Sequence, residues 1–180
     1  MTNHVMLDLE TLGTAADAVI LSIGAVKFNA KKINDAGFYS IVSVESNLAL
    51  KRRVQEDTLA WWMKQSDAAR ALFLQPGCTI QAALEDLADW IGNDDVTVWS
   101  NGASFDIPIL EHAYVQTGLT VPWKFWNTRC FRTVKSLPLA KSVPAPTPAI
   151  AHHALHDAIA QARHLQAIWA KASDENFILV

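Results

Sequence analysis

The spacing of apolar and polar positions changes character once along this chain, from a strand period to a helical one. His4–Leu9 is an apolar stretch that ends in acids, Val19–Phe28 (VILSIGAVKF) alternates as a strand does, and Gly37–Val44 suits a third strand. The linkers Thr11–Ala18 and Asn29–Ala36 carry Gly, Asn and Asp, the residues of hairpin-type connections. These three segments predict an antiparallel meander. From there the pattern predicts short helices over Leu48–Arg53, Asp57–Lys64 and Asp67–Phe73, and an amphipathic helix over Ile80–Ile91. Val96–Ser100 reads as a buried strand, and Asp106–Gln116 as a helix stopped by Gly118. A short strand is expected around Trp123–Trp126 and a short helix over Cys130–Leu137. Ser142–Ala149 holds three prolines in eight residues and must be extended, and a last helix runs from near His153 to about Ala172. No internal repeat is visible. The order implies an α/β fold: a mixed sheet, three antiparallel strands then parallel strands, flanked by helices, in one domain spanning 1–180.

Composition narrows the class. At 51% hydrophobic and 18% charged, the 180 residues can bury a sizeable core. No apolar run approaches the roughly 18 residues of a membrane span. The N-terminus, MTNHVMLDLE, lacks the basic region and apolar core of a secretory signal, so a cytoplasmic location is expected. Cys78 and Cys130 stand alone and read as reduced thiols. A net charge of −3 argues against coating long nucleic acid. With four acids set aside as metal ligands, however, the remainder is +1, which suits a short grip on one chain end.

Three motifs carry chemistry. In DLET, Asp8 and Glu10 are two apart on a strand and share a face, while Leu9 points to the core. Carboxylates so close repel unless a cation lies between them, and hard oxygen ligands suit magnesium or manganese. A bare D-x-E can also simply end a strand in solvent. In NGASFD (Asn101–Asp106), Asp106 follows a buried strand and opens a helix, which brings a third carboxylate to the sheet end or makes a helix cap. In HHALHDA (His152–Ala158), Asp157 lies in the first turns of the final helix beside Ala154, Ala158 and Ala162. His152, five positions earlier, is off-face in a continuous helix and fits a loop swung over the site. The proline-rich segment before it reads as a mobile or gated loop. The other reading is a His-rich surface helix start.

In order, spacing and context the three motifs resemble the DEDDh branch of the DEDD exonuclease superfamily. The matching positions are Asp8-x-Glu10, Asp106 and His152-x4-Asp157. Within the branch the chain is most similar to small phage and bacterial exodeoxyribonuclease-A-like and RNase-T-like enzymes. MLDLETLGT, DTLAWWMKQ, NTRCFRTV and HHALHDA carry that likeness, which covers about residues 4–170. The resemblance implies a ribonuclease-H-like fold, 3′→5′ polarity and release of nucleoside 5′-monophosphates. It implies two Mg2+ (or Mn2+) ions in the site. Asp8 would bridge them, Glu10 and Asp157 would complete one shell, and Asp106 would act through water on the other.

His152 would take a proton from the attacking water, and imidazoles change charge near neutral pH, so a neutral-to-alkaline optimum is expected. Thr11, Leu12, Asn101 and Phe105 match positions at the terminal nucleotide, with Leu12 as a wedge; core packing is the other reading of Leu12 and Phe105. Trp61 and Trp62 lie about 100° apart on a helix, so one is core and the other is available to stack on a base. Helical geometry does not say which, and Trp61 is the candidate for the substrate-facing one. Arg129, Arg132 and Lys135, and separately Lys51, Arg52 and Arg53, form basic clusters that suit phosphates or a solvated face.

The expected partner is the 3′ end of single-stranded DNA or RNA, with a slight lean to DNA, and no membrane; a homodimer is common among the resembled enzymes. A polymerase-associated proofreading exonuclease is the nearest rival, and a non-catalytic nucleic-acid-binding relative would not need all five residues. A zinc site from His152, His153 and His156 lacks an HExxH glutamate and nearby cysteines. A P-loop hydrolase lacks GxxxxGK[ST].

Overall fold

The computed structural model describes residues 3–34, 36–92 and 95–174. Among these, five strands form one sheet: β1 Asn3–Thr11, β2 Ile20–Phe28, β3 Phe38–Ile41, β4 Val96–Ser100 and β5 Thr128–Cys130, in the order β3-β2-β1-β4-β5. β1, β2 and β3 pair antiparallel, whereas β4 lies parallel to β1 and β5 parallel to β4. The expected meander and mixed sheet are both present. The helices are α1 Val44–Ala49, α2 Glu56–Trp62, α3 Asp67–Arg70, α4 Ile80–Ile91, α5 Asp106–Thr117, α6 Phe131–Ser136, α7 Pro138–Lys141 and α8 Ala154–Asp174. Among the described residues, no helix is long and apolar enough to cross a membrane.

Four elements depart from the sequence pattern. The third strand stops at Ile41 because Ser43 caps α1, its hydroxyl accepting from the Ser46 amide at 3.3 Å. The helix expected at Leu48–Arg53 therefore lies earlier. It is followed by Lys51 in the left-handed region (φ 59°) and by Arg52, which folds inward. The strand expected at Trp123–Trp126 does not form. Trp123 instead enters the core, donates to Glu111 Oε1 at 3.1 Å and packs edge-on against Tyr114. A 3-10 turn at Phe125–Asn127 follows, and only then β5. The segment Asp67–Phe73 divides into α3 and a 3-10 turn over Ala71–Leu74.

β1 is covered on both faces. Val5, Leu7 and Leu9 pack with Leu84, Leu87, Ile91 and Leu110 of α4 and α5. Met6 points the other way, into a layer formed with Ala158, Ala162, Leu165 and Ile168 of α8. The start of α8 lies directly on β2 at Gly24. A Cβ there would stand 2.1 Å from the Ala154 carbonyl carbon and 2.2 Å from the Leu155 nitrogen. Gly24 pairs with Asp8, so this close approach brings the first turns of α8 beside the acids of β1. The proline-rich segment forms neither helix nor strand, and His164 Nε2 donates to the Val143 carbonyl at its start, at 3.0 Å.

Candidate active site

The period of β1 puts Asp8 and Glu10 on the α8 side, and the register with β2 shifts directly after Glu10. β4 ends at Ser100, opposite Leu7, so the amide of Leu9 projects beyond the end of that ladder. Asp106 Oδ1 accepts that amide at 3.2 Å. This one bond fixes the first residue of α5 to the end of β1 and buries a third carboxyl there. Asp157 arrives from the opposite face. Its Oδ2 accepts the His153 amide at 3.1 Å, a capping interaction at the start of α8, while the same side chain meets Glu10 and His152. Among the described residues, Glu10, His152 and Asp157 each present a ligand-type atom, all within 4.8 Å of one another.

Electrostatics follow from this crowding. Burial, then the charges of Asp106 and Glu10, push the Asp8 carboxyl well above the usual carboxylate range, and a hydrogen bond from Gln161 opposes them. Burial, followed by Asp157 and Asp106, pushes Glu10 up to about 8. Burial pushes Asp106 to about 7 against the hydrogen bonds that it accepts and the nearby charge of Arg132. Asp157 is raised by burial too, with His152 pulling the other way. Four acids that resist ionising together repel one another, and a divalent cation placed among them would relieve that repulsion.

His152 sits in the turn before α8 with φ 60°, a left-handed backbone rarely adopted by a residue with a side chain. Its ring meets Trp61 edge-on at 4.8 Å and Trp62 at 6.4 Å. The two tryptophans are now distinguished. Trp62 is buried and its indole N–H donates to the Thr11 carbonyl at 2.8 Å, whereas Trp61 is 41% exposed. Trp61 borders a cleft of about 420 Å³ that Glu10, Thr11, Thr58 and Phe105 also line.

The remaining sequence candidates are placed unequally. The Thr11 hydroxyl donates to Gly13 O at 2.7 Å. Leu12 is 4% exposed and packs with Val19, Leu21, Trp62 and Leu72 in a small separate core cluster. Asn101 has a buried Oδ1 without a protein partner, and its carbonyl accepts from Arg132 at 2.7 Å. Arg129 is exposed and donates to the Trp126 and Thr128 carbonyls. The Lys51–Arg53 cluster is no continuous basic face: Arg52 is buried with its guanidinium on the Ala18 carbonyl, and Arg53 pairs with Asp17.

Sequence reasoning overlooked Gln161, Tyr39 and the role of His153. Gln161 Nε2 donates to Asp8 Oδ1 at 2.8 Å. The spacing of Gln161, four residues after Asp157 on the same helix face, was a usable signal. Tyr39, His153 and His156 form a three-ring stack, with centroids 4.2 and 4.1 Å apart. Two of the three histidines of the zinc alternative are thus stacked on each other, and the one that joins the acids is His152.

The model of the 3′-5′ exoribonuclease Rv2179c-like domain matches residues 3–169. No curated protein matches. Among solved structures, the chain is similar to exonuclease I without ligand (TM-score 0.71, 12% identity, covering 97% of this chain and 43% of that one). It is also similar to Escherichia coli exonuclease I in complex with a dT13 oligonucleotide (TM-score 0.72, 12% identity, 98% and 43%). A third likeness is to the cell-death related nuclease CRN-4 (TM-score 0.65, 16% identity, 94% and 64%). The chain spans less than half the length of the exonuclease I structures it matches, and at these identities the likeness is one of fold. By its family model and its fold, the chain belongs to the 3′-5′ exoribonuclease Rv2179c-like domain family, DEDD-type 3′-5′ exonucleases of the ribonuclease-H-like superfamily.

Proposed function

We propose that the chain acts as one metal-dependent exonuclease domain that shortens single-stranded nucleic acid from its 3′ end and releases nucleoside 5′-monophosphates. The observation that carries this reading is the convergence of Asp8, Glu10, Asp106 and Asp157 with His152 at the carboxyl ends of β1 and β4. Their donor set fits Mg2+ or Mn2+: four hard, crowded carboxylates whose ionisation is suppressed until a cation joins them. Asp8, Glu10, Asp106 and Asp157 would hold two ions, which on binding lower the pKa of water and stabilise charge on the leaving oxygen.

The chain's own groups do the rest. His152 is the proton acceptor for the attacking water, held at the site by Trp61 and Trp62. Trp61, exposed on the cleft wall, gives the terminal base a face to stack on, and Phe105 lines the cleft with it. Thr11, on the cleft wall, contacts the terminal nucleotide, and Asn101 meets it once its buried Oδ1 turns outward. Leu12 supports the wall from beneath through Trp62.

The sequence alone leans to DNA. The family's description as an exoribonuclease favours RNA, and RNA is taken as the first substrate with DNA second. The test is digestion of matched single-stranded RNA and DNA oligonucleotides carrying a 5′ label, with 3′-blocked controls. The expected result is a ladder shortening from the 3′ end in Mg2+, faster on RNA and absent with EDTA or a 3′ block. Internal fragments, or cleavage that ignores the block, would overturn the reading. A homodimer is part of this proposal and is read directly by sedimentation.

A further inference from the structure

We propose that Gln161 is a positioning residue for Asp8, selecting which carboxylate oxygen Asp8 turns toward the cations. This rests on the reading that the acid cluster binds divalent metal. Gln161 lies one turn beyond Asp157 on α8, so both project from the same side of the helix. Ala158 and Ala162, fully buried, bring that side of α8 close to the sheet. Across this narrow gap Gln161 Nε2 reaches Asp8 Oδ1 at 2.8 Å. One oxygen of Asp8 is thereby occupied, and the other is left for the cluster.

Asp8 needs such a restraint. The last torsion of an aspartate is broad, and Asp106, Glu10 and Asp157 crowd its carboxyl without holding it. An amide N–H resists that rotation without adding charge. A lysine or arginine here would compete with the metal for the same oxygens, and a hydrocarbon would leave Asp8 unheld. The other end of the amide supports the same role. Gln161 Oε1 is buried and has no hydrogen-bond partner among the described residues, so the amide is held by its donor side, on Asp8. The arrangement matches the outer partners that orient ligands in metal sites generally.

The test replaces the amide by apolar groups of similar length, Q161M and Q161L, and measures Mn2+ binding by calorimetry in the absence of substrate. Steady-state kinetics on an oligonucleotide accompany it. The expected result is a loss of about 10- to 100-fold in Mn2+ affinity, with kcat reduced and KM within about twofold of the parent. The structural alternative, simple packing of α8 on the sheet, predicts a lower unfolding temperature with Mn2+ affinity intact. Variants that fold and keep both Mn2+ affinity and kcat within about twofold overturn the proposal. So does failure of both variants to fold even with Mn2+ present, since Gln161 is then a structural residue. A parent protein that binds no Mn2+ refutes the cluster reading itself.

Discussion

The two faces of β1 are built from alternate residues of one strand, yet they obey opposite rules. On one face Val5, Leu7 and Leu9 are hydrocarbon throughout and meet α4 and α5. Each such side chain stabilises the fold by roughly 1.5–3 kcal/mol through burial. On the other face His4 is half-buried against Phe28 and Trp169 and Met6 is apolar, but the next two are Asp8 and Glu10. These two carry a charge that burial and neighbouring acids disfavour, so without a cation this half of the face opposes folding. The apolar face bears that cost. The same strand therefore separates stability from chemistry by nothing more than its two-residue period.

Substitutions on or near each face should separate the two roles. The largest effect belongs to the chemistry: His152→Ala is expected to lower kcat by about 10²- to 10⁴-fold while metal affinity and unfolding temperature hold. Near-normal turnover would remove His152 from its role. On the hydrocarbon face, Leu7→Ala is expected to cost about 2–5 kcal/mol in a urea melt, with the folded fraction keeping its specific activity. An equal loss of activity per folded molecule would show that the faces are not independent.

Gly24→Ala joins the faces, because its methyl group meets the backbone of α8 and pushes Asp157 and His152 away from β1. A stability loss of about 1–3 kcal/mol is expected, together with reduced kcat. Retained activity would show that α8 adapts. Smallest of the four is Trp61→Ala, expected to raise KM by roughly 5- to 150-fold, corresponding to 1–3 kcal/mol of lost stacking, with metal binding unchanged. An unaltered KM would return Trp61 to the role of a rim residue.

The parts of this arrangement that are periodic were legible in the sequence. A strand period sufficed to put Asp8 beside Glu10, and helical spacing placed Asp157 on α8 among its alanines. Naming the remaining candidate ligands needed the order of the motifs, because Asp106 alone is indistinguishable from a helix cap. Indeed its carboxyl does cap something, namely the Leu9 amide of a different element. What stayed hidden was decided by contacts distant in sequence. Trp61 and Trp62 are equivalent by helical geometry, and only the Thr11 carbonyl that takes the indole N–H of Trp62 decides which one is core. Gln161 shares a helix face with Asp157, but its partner Asp8 is set only by the packing of α8 on β1. Arg52 reads as part of a basic surface until the Ala18 carbonyl draws it inside. The cap at Ser43 is local, and it starts α1 four residues before the hydrophobic spacing does.

The claim that one face of β1 is arranged for a cation has a pH signature. Carboxyls raised to about 8 at Glu10 and about 7 at Asp106 hold their protons more tightly in the folded chain than in the unfolded one. Metal-free stability is therefore fullest below the unfolded values near 4, falls as pH rises through these folded values, and levels off above them. The most direct measurement is the unfolding temperature of the metal-free protein at pH 5 and pH 8, repeated at pH 8 with Mg2+, for the parent and Glu10→Gln. The account predicts that the parent is less stable at pH 8 by several degrees and recovers with Mg2+. Glu10→Gln should begin more stable than the parent at pH 8 and gain less from the metal. A parent whose unfolding temperature is indifferent to Mg2+ at pH 8, or a Glu10→Gln variant less stable than the metal-free parent, would contradict it.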